Sequence, residues 1–232
     1  MSNSHLPELG APFANRLRAR RERLVWWWAT RRFALLKRGL DLALVLPALL
    51  LLTPLFTLIA LAIKLYDRGP VLFWQQRVGR HGKTFRFPKF RSMCVNAEAV
   101  RAVLLAQNQH GSQGVTFKMK RDPRITPIGR LIRRTSMDEL PQLWCVLRGD
   151  MSLVGPRPPL PGEVSRYSLL ERERLSVTPG LTCIWQVSGR SEIPFPQQVR
   201  MDIDYIQQRS MGGDVKLLAK TLPAVVRGRG AY

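Results

Sequence analysis

The distribution of apolar and polar positions divides the chain before any composition is counted. From Leu42 to Ile63 it reads LALVLPALLLLTPLFTLIALAI, twenty-two residues without a charge. Such a run is long enough to cross ~30 Å of hydrocarbon as a helix. A soluble core helix would carry a polar stripe, and this run has none. A secretory leader is disfavoured, because 41 residues precede Leu42 and the run exceeds the usual leader core. The segment is therefore expected in a membrane. Prolines 47 and 54 interrupt it, and the Thr53 hydroxyl can serve a carbonyl that Pro54 leaves without a donor.

Upstream, residues 16–38 alternate basic and apolar clusters around Trp26, Trp27 and Trp28, the pattern of a helix lying at headgroup level. Residues 1–15, with Pro7, Gly10 and Pro12, read as a loose tail. Beyond the apolar run, VLFWQQRVG (71–79) and TFRFPKFRSM (84–93) flank a turn at 80–83 and predict a strand pair, with Pro88 confining the second strand to an edge. Residues 94–109 have helical composition, and Gly111 to Gly114 connects onward. Thr126-Pro127 opens a short helix, the threonine as its cap. A second helix is expected from about Ser136 to Leu147, then a Pro-rich loop (155–162) and a polar helix near 163–175. Strand and turn are expected over 177–196, and a last helix over about 214–226. The sum is an α+β, mainly helical body on a membrane foot. Its expected parts are a tail and interfacial helix (1–36), the membrane segment (37–66) and a catalytic domain (67–232).

Charge sharpens the topology. Lys and Arg number 37 against 16 acids, a net +21, which points to a polyanionic partner: nucleic acid, anionic lipid or a phosphorylated substrate. An apolar fraction of 45% excludes a disordered basic tail. Arg23, Arg31, Arg32, Lys37 and Arg38 precede the membrane run; Lys64, Arg68, Arg77, Arg80 and Lys83 follow it. Five against five gives a simple span no preferred orientation, whereas a re-entrant helix broken at Thr53-Pro54 keeps both ends on the cytoplasmic side. Three scattered cysteines and three scattered histidines exclude a disulfide scaffold, a Cys zinc site and a His-based triad.

Phosphate chemistry remains, and RRTSMDELPQL (133–143) is its focus. Asp138 and Glu139 are adjacent in a chain poor in acids, with Arg130, Arg133 and Arg134 just upstream. Ser136 and Glu139 also fit a capping box, so Glu139 could be a cap alone. Either way both carboxylates fall at a helix start, where free N–H groups keep them ionised. Neighbouring acids cannot flank a sugar as a glycosidase pair does. They can hold Mg²⁺ together with substrate phosphates, and an aspartate can attack phosphorus. Arg157, between Pro156 and Pro158, is a stiffened fork suited to phosphate, or else an ordinary solvated loop residue. Lys89 and Arg91 add charge to the strand before it or sit at headgroup level.

Taken in order, the Thr-Pro apolar segment, GPVLFWQQRVGRHGKTFRFPKFRSM, RRTSMDELPQLWCVLRGDMSLVGPRPP, TPGLTCIWQVSGRS and a C-terminal RGRGAY closely resemble the bacterial sugar transferases, the monotopic polyprenyl-phosphate hexose-1-phosphate transferases. The resemblance covers roughly residues 37–232 and is to the short, catalytic-domain-only form. It implies a re-entrant helix at Thr53-Pro54 in the bacterial inner membrane, with the catalytic domain facing the cytoplasm. It implies transfer of a hexose 1-phosphate from a UDP-sugar to polyprenyl (undecaprenyl) phosphate with release of UMP, opening exopolysaccharide, O-antigen or glycoprotein glycan synthesis. By the same resemblance Asp138 is the nucleophile, Glu139 supports Mg²⁺ and the reacting phosphate, and Arg133 and Arg157 contact phosphate; Lys89 is placed with these phosphate contacts on its charge alone. Asp138 and Glu139 are then the metal ligands. Cys183 replaces a customary glycine, and Arg209 and Met211 replace an aromatic-Ser-Leu run, which bears on packing or sugar choice rather than on the reaction. The partners implied are donor, lipid acceptor and membrane lipid, without nucleic acid; a homo-oligomer is compatible. The rivals are a membrane-tethered nucleic-acid-binding protein, suggested only by +21, and an inactive assembly scaffold, which would need a damaged Asp138-Glu139 pair.

Overall fold

The computed structural model describes residues 12–97, 99, 122–189 and 192–227. The expected helix over 94–109, the connection at Gly111 to Gly114, the tail before Pro12 and the last five residues lie outside these, wholly or in large part. Helix α1 runs Pro12–Asp67, so residues 12–15 are helix rather than tail. Contacts divide the chain into two compact units, 1–40 and 41–232. In the first, all described residues are helical and Trp28 is exposed.

The second unit carries the fold, and its elements are mostly helical, as expected. Strands β1 (Leu72–Val78) and β2 (Thr84–Phe90) form the anticipated antiparallel hairpin, with Trp74 opposite Pro88. His81 and Gly82 adopt positive φ in its turn. After α2 (Pro127–Arg134) come a 3-10 helix (Met137–Gln142), α3 (Leu143–Arg148) and β3 (Ser152–Val154). The expected polar helix near 163–175 is instead three separate turns: α4 (Pro161–Val164), α5 (Leu169–Arg172) and a 3-10 helix (Glu173–Ser176). Glu163 and Glu171 each turn back on the backbone N–H three residues before them, which closes the turns individually. Strand β4 (Gly180–Thr182) pairs parallel with β3, and α6 (Ile184–Ser188) occupies part of the stretch expected as strand and turn. Helix α7 (Phe195–Gln208) was not anticipated, and α8 (Met211–Arg227) is the expected last helix.

Two apolar clusters organise this unit. One gathers Val45, Phe85, Phe87, Leu143, Val146, Met151, Val154 and Tyr205; the other gathers Ile59, Ile63, Phe90 and Ile132. Both take residues from α1, whose 41–67 part therefore lies along the domain with one stripe covered. Val45, Ile59 and Ile63 are buried, while Leu50 and Leu51 on the other side are 76% and 77% exposed. At the start of that stripe buried Asp41 accepts from the Ser152 hydroxyl (3.1 Å) and the Leu153 N–H (3.0 Å), pinning helix to β3.

The helix continues through Pro47 and Pro54, so the break expected at Thr53-Pro54 is not an interruption of the helix. Thr53 Oγ1 donates to Leu49 O (2.8 Å) and Thr57 Oγ1 to Thr53 O (3.0 Å). The Thr53 hydroxyl thus serves a carbonyl one residue before the Leu50 carbonyl, the one Pro54 leaves without its usual donor. Hydroxyl back-bonding on both sides of Pro54 helps a helix tolerate a proline without breaking.

Candidate active site

Three elements converge on the Asp138-Glu139 pair. Helix α2 is capped by Thr126, whose side chain accepts from Gly129 N (2.9 Å). Gly129 is pressed onto the chain just past β2: a Cβ there would stand 1.9 Å from Ser92 O. The chain then turns through Ser136, in the left-handed region at φ 56°, and enters the 3-10 helix with Asp138 and Glu139 in its first turn. Ser136 makes no side-chain cap bond, so the capping box does not form. The Glu139 side chain turns elsewhere.

It turns to two cations. Lys89 Nζ on β2 donates to Glu139 Oε1 at 3.0 Å; Arg157 Nη2 donates to the same oxygen at 2.5 Å and Nη1 to Oε2 at 3.3 Å. Lys89 also lies 5.5 Å above the buried Phe87 ring. Burial alone would raise the Glu139 carboxyl, but Arg157 and Lys89 outweigh it and hold it well below the usual range. Burial pulls the Lys89 amine down, against the pull of Glu139. Burial likewise opposes the Arg157 charge, but Glu139 overcomes it and raises that group.

Asp138 is in a different state, only 8% exposed. Desolvation raises its carboxyl to about 6; Lys89, Arg133 and Arg157 pull against that, and Glu139 adds to it. The sequence-based expectation that both carboxylates stay ionised therefore holds firmly for Glu139, whereas Asp138 titrates close to neutrality. Two adjacent acids have been driven apart, one locked as an anion and one desolvated, as happens where one carboxyl reacts and its neighbour supports it.

The Arg157 loop is built by close backbone approach. Strand β3 runs into Gly155, and a Cβ on Gly180 of β4 would come within 2.0 Å of Gly155 N. Only glycine fits both sides of this contact. Gly155 N donates to Thr182 O (3.0 Å) and Gly180 N to Pro156 O (2.9 Å). Pro156 and Pro158 are fully buried, so the residues flanking Arg157 are core and the loop is not a solvated surface turn. On its far side Arg77 Nη1 donates to Pro158 O (3.0 Å) and Val78 N to Pro159 O (2.9 Å).

The structure thus brings Asp138, Glu139, Lys89 and Arg157 together. Arg133, half-buried on α2, reaches Asp138 electrostatically and also faces Asp122. Arg91 turns instead to Asp67 at the end of α1. Sequence reasoning gave Arg77 no role in the site, although it counted Arg77 among the basic residues following the membrane run. The available signal was an arginine within a strand pattern, one residue before Val78-Gly79.

Among the described residues no group of three or more His, Cys, Asp or Glu could form a metal cage. Both Glu139 oxygens accept from cations, and with about four lone pairs on a carboxylate the pair Asp138 and Glu139 keeps oxygen capacity for a cation. This donor set fits a hard cation that arrives with phosphate oxygens of its own.

The sequence pattern of the bacterial sugar transferases matches residues 32–228. The galactosyl transferase CpsE of Streptococcus agalactiae is 51% identical over 166 residues, covering 71% of this chain and 36% of that protein. The undecaprenyl-phosphate galactose phosphotransferase of Salmonella typhimurium is 43% identical over 206 residues, 88% of this chain and 43% of that protein. The exopolysaccharide production protein ExoY of Sinorhizobium fredii is 38% identical over 198 residues, 84% of this chain and 88% of its own length. The chain therefore spans less than half of the first two relatives and most of the third.

Proposed function

Because the chain belongs to the bacterial sugar transferase family, we propose that it transfers a hexose 1-phosphate from a UDP-sugar to undecaprenyl phosphate, with Asp138 as the nucleophile. The observation that carries this reading is the split pair: a desolvated Asp138 beside a Glu139 held ionised by Arg157 and Lys89. A carboxylate stripped of water is a stronger nucleophile, and one that titrates near 6 is available as an anion at neutral pH.

In the first step an Asp138 oxygen bonds to the β-phosphorus of the donor. The bond from that phosphorus to the bridging oxygen breaks, and UMP leaves with its electron pair. Arg157 and Arg133 bind the diphosphate oxygens and stabilise the charge that develops on them. Glu139 keeps the Arg157 fork and Lys89 in register. In the second step an oxygen of undecaprenyl phosphate attacks the same phosphorus, and the Asp138 carboxylate leaves, restoring the enzyme. Asp138, Glu139 and the donor phosphates would hold Mg²⁺, which would supply charge neutralisation at the diphosphate.

The lipid acceptor requires a membrane seat, and α1 includes a stretch long and apolar enough to cross one. The covered stripe from Val45 to Ile63 spans ~27 Å of helix. A helix held against the domain along one stripe over that length, with Leu50, Leu51 and Leu58 exposed on its other side, can lie in the membrane surface together with the domain. This supports a monotopic seat at the inner membrane with the site on the cytoplasmic side, in line with the equal basic flanks. No observation favours the nucleic-acid reading. The test is UMP release from a panel of UDP-sugars in the presence of undecaprenyl phosphate and Mg²⁺. Release with one or more donors supports the reading, and its absence with all of them overturns it.

A further inference from the structure

Arg77 is an expensive residue for a brace. Its guanidinium lies 5.2 Å above the buried Phe87 ring and donates to Pro158 O, while its Nε is buried with no acceptor among the described residues. Burial, then the like charge of Arg157, pull its pKa down to about 10, against the weaker pull of Glu163 and Glu139. A neutral amide could donate to a carbonyl without either cost. A charge kept under such repulsion is useful if an anion arrives between the two arginines.

We propose that Arg77 is a positioning residue of the donor site: through Pro158 O and its positive charge it sets the Pro156–Pro158 loop so that the Arg157 fork meets a diphosphate. Three features of the geometry converge on this. The bond from Arg77 falls on the residue directly after Arg157. The Val78 N–H holds the next carbonyl, so the end of β1 and the loop move as one piece. Opposite, the Gly155–Gly180 contact leaves the loop no room to adjust. The Arg157 fork is therefore aimed from the β1 side, by Arg77.

The inference rests on the donor being a diphosphate, and its test is separable from turnover. Inorganic pyrophosphate is titrated into the full chain and its affinity measured directly. Arg77→Gln, which keeps an amide donor and loses the charge, is expected to weaken binding ~10-fold, and Arg77→Lys, which keeps charge without a fork, ~3-fold. If Arg77 acts through Arg157, Arg77→Gln should add less than ~2-fold in an Arg157→Ala background. In the UMP-releasing half-reaction Arg77→Gln should raise the donor KM with kcat within ~3-fold of the parent. Parent-like pyrophosphate affinity in Arg77→Gln, or full additivity with Arg157→Ala, overturns the proposal. Should Arg77→Gln not fold, Arg77→Lys decides, and parent-like binding in it is the refuting result. A parent that releases UMP while Arg77→Gln binds normally refutes this inference alone. A parent that binds pyrophosphate through Arg77 and releases no UMP refutes only the proposed reaction.

Discussion

Replacing Asp138 by Asn should make the protein more stable while removing its activity. The carboxyl titrates at about 6 in the fold against an ordinary value of 3.8. For an acid whose folded value lies above the unfolded one, ionisation opposes folding. The penalty is absent below ~3.8, grows as pH rises, and is complete above ~6, where it amounts to ~3 kcal/mol. That figure already includes the attraction of Lys89, Arg133 and Arg157, since they contribute to the same net shift. Asn is close in shape and carries no charge, so the variant escapes the penalty. Its gain should be ~3 kcal/mol at pH ~8 and roughly half that at pH ~5. For a chain of this size these correspond to ~6–12 °C and ~3–6 °C in melting temperature. The assay is thermal unfolding of detergent-solubilised parent and variant at both pH values, with UMP release measured alongside. Turnover should fall by several powers of ten. A variant destabilised at pH ~8, or one whose gain does not change with pH, would show that Asp138 is not a desolvated carboxylate and remove the basis for its reactivity.

Arg157→Lys keeps the charge and loses the fork that grips both Glu139 oxygens. It should slow UMP release roughly ten- to a hundred-fold, and parent-like rates would return Arg157 to a purely structural place. Gly180→Ala would drive a Cβ into the Gly155 backbone, and should lower stability by ~1–3 kcal/mol or more together with donor binding. Unchanged denaturation and KM would contradict the close approach. Cysteines introduced near residues 35 and 70 should both resist a periplasmic thiol reagent in intact cells, and labelling at one end only would establish a crossing helix. The acid limb of kcat/KM should fall with an apparent pKa near 6, that of Asp138 in the free enzyme. A limb near the ordinary aspartate value would argue against the desolvated state.

Local chemistry was legible in the sequence wherever a few neighbouring residues determine it. The β1–β2 hairpin follows from two aromatic-rich runs around a turn, and the α2 start from Thr126-Pro127, whose cap bond is made as read. The conjunction of Asp138, Glu139, Lys89 and Arg157 was suggested by residue types in a family pattern, but the geometry that gives each its state is long-range. Glu139 accepts from Lys89 fifty positions earlier and Arg157 eighteen later, so the tempting local bond to Ser136 loses. Strands β3 and β4 have three residues each, too short to show a period, and depend on a Gly–Gly contact that only the fold reveals. Helix α7 begins at Phe195-Pro196 with Pro194 in the capping position and no side-chain cap bond, so the proline in its first turn was the one start signal and no capping side chain reinforced it. For α1, the missing polar stripe pointed to an apolar environment for the run as a whole. It did not say that part of that environment is the protein's own core.

That last feature bears on how the molecule can be divided. An anchor that merely tethers a catalytic domain can be exchanged or cut away. Here Val45, Ile59 and Ile63 are roof timbers of the two apolar clusters, and Asp41 accepts the Leu153 N–H where β3 leads into the Arg157 loop. A version beginning after Asp67 would uncover Phe87 and Phe90 and orphan that N–H, and would precipitate rather than dissolve. The place where modules can be exchanged without damage therefore lies upstream of Asp41, at the boundary between the two compact units, and not at the end of the apolar run.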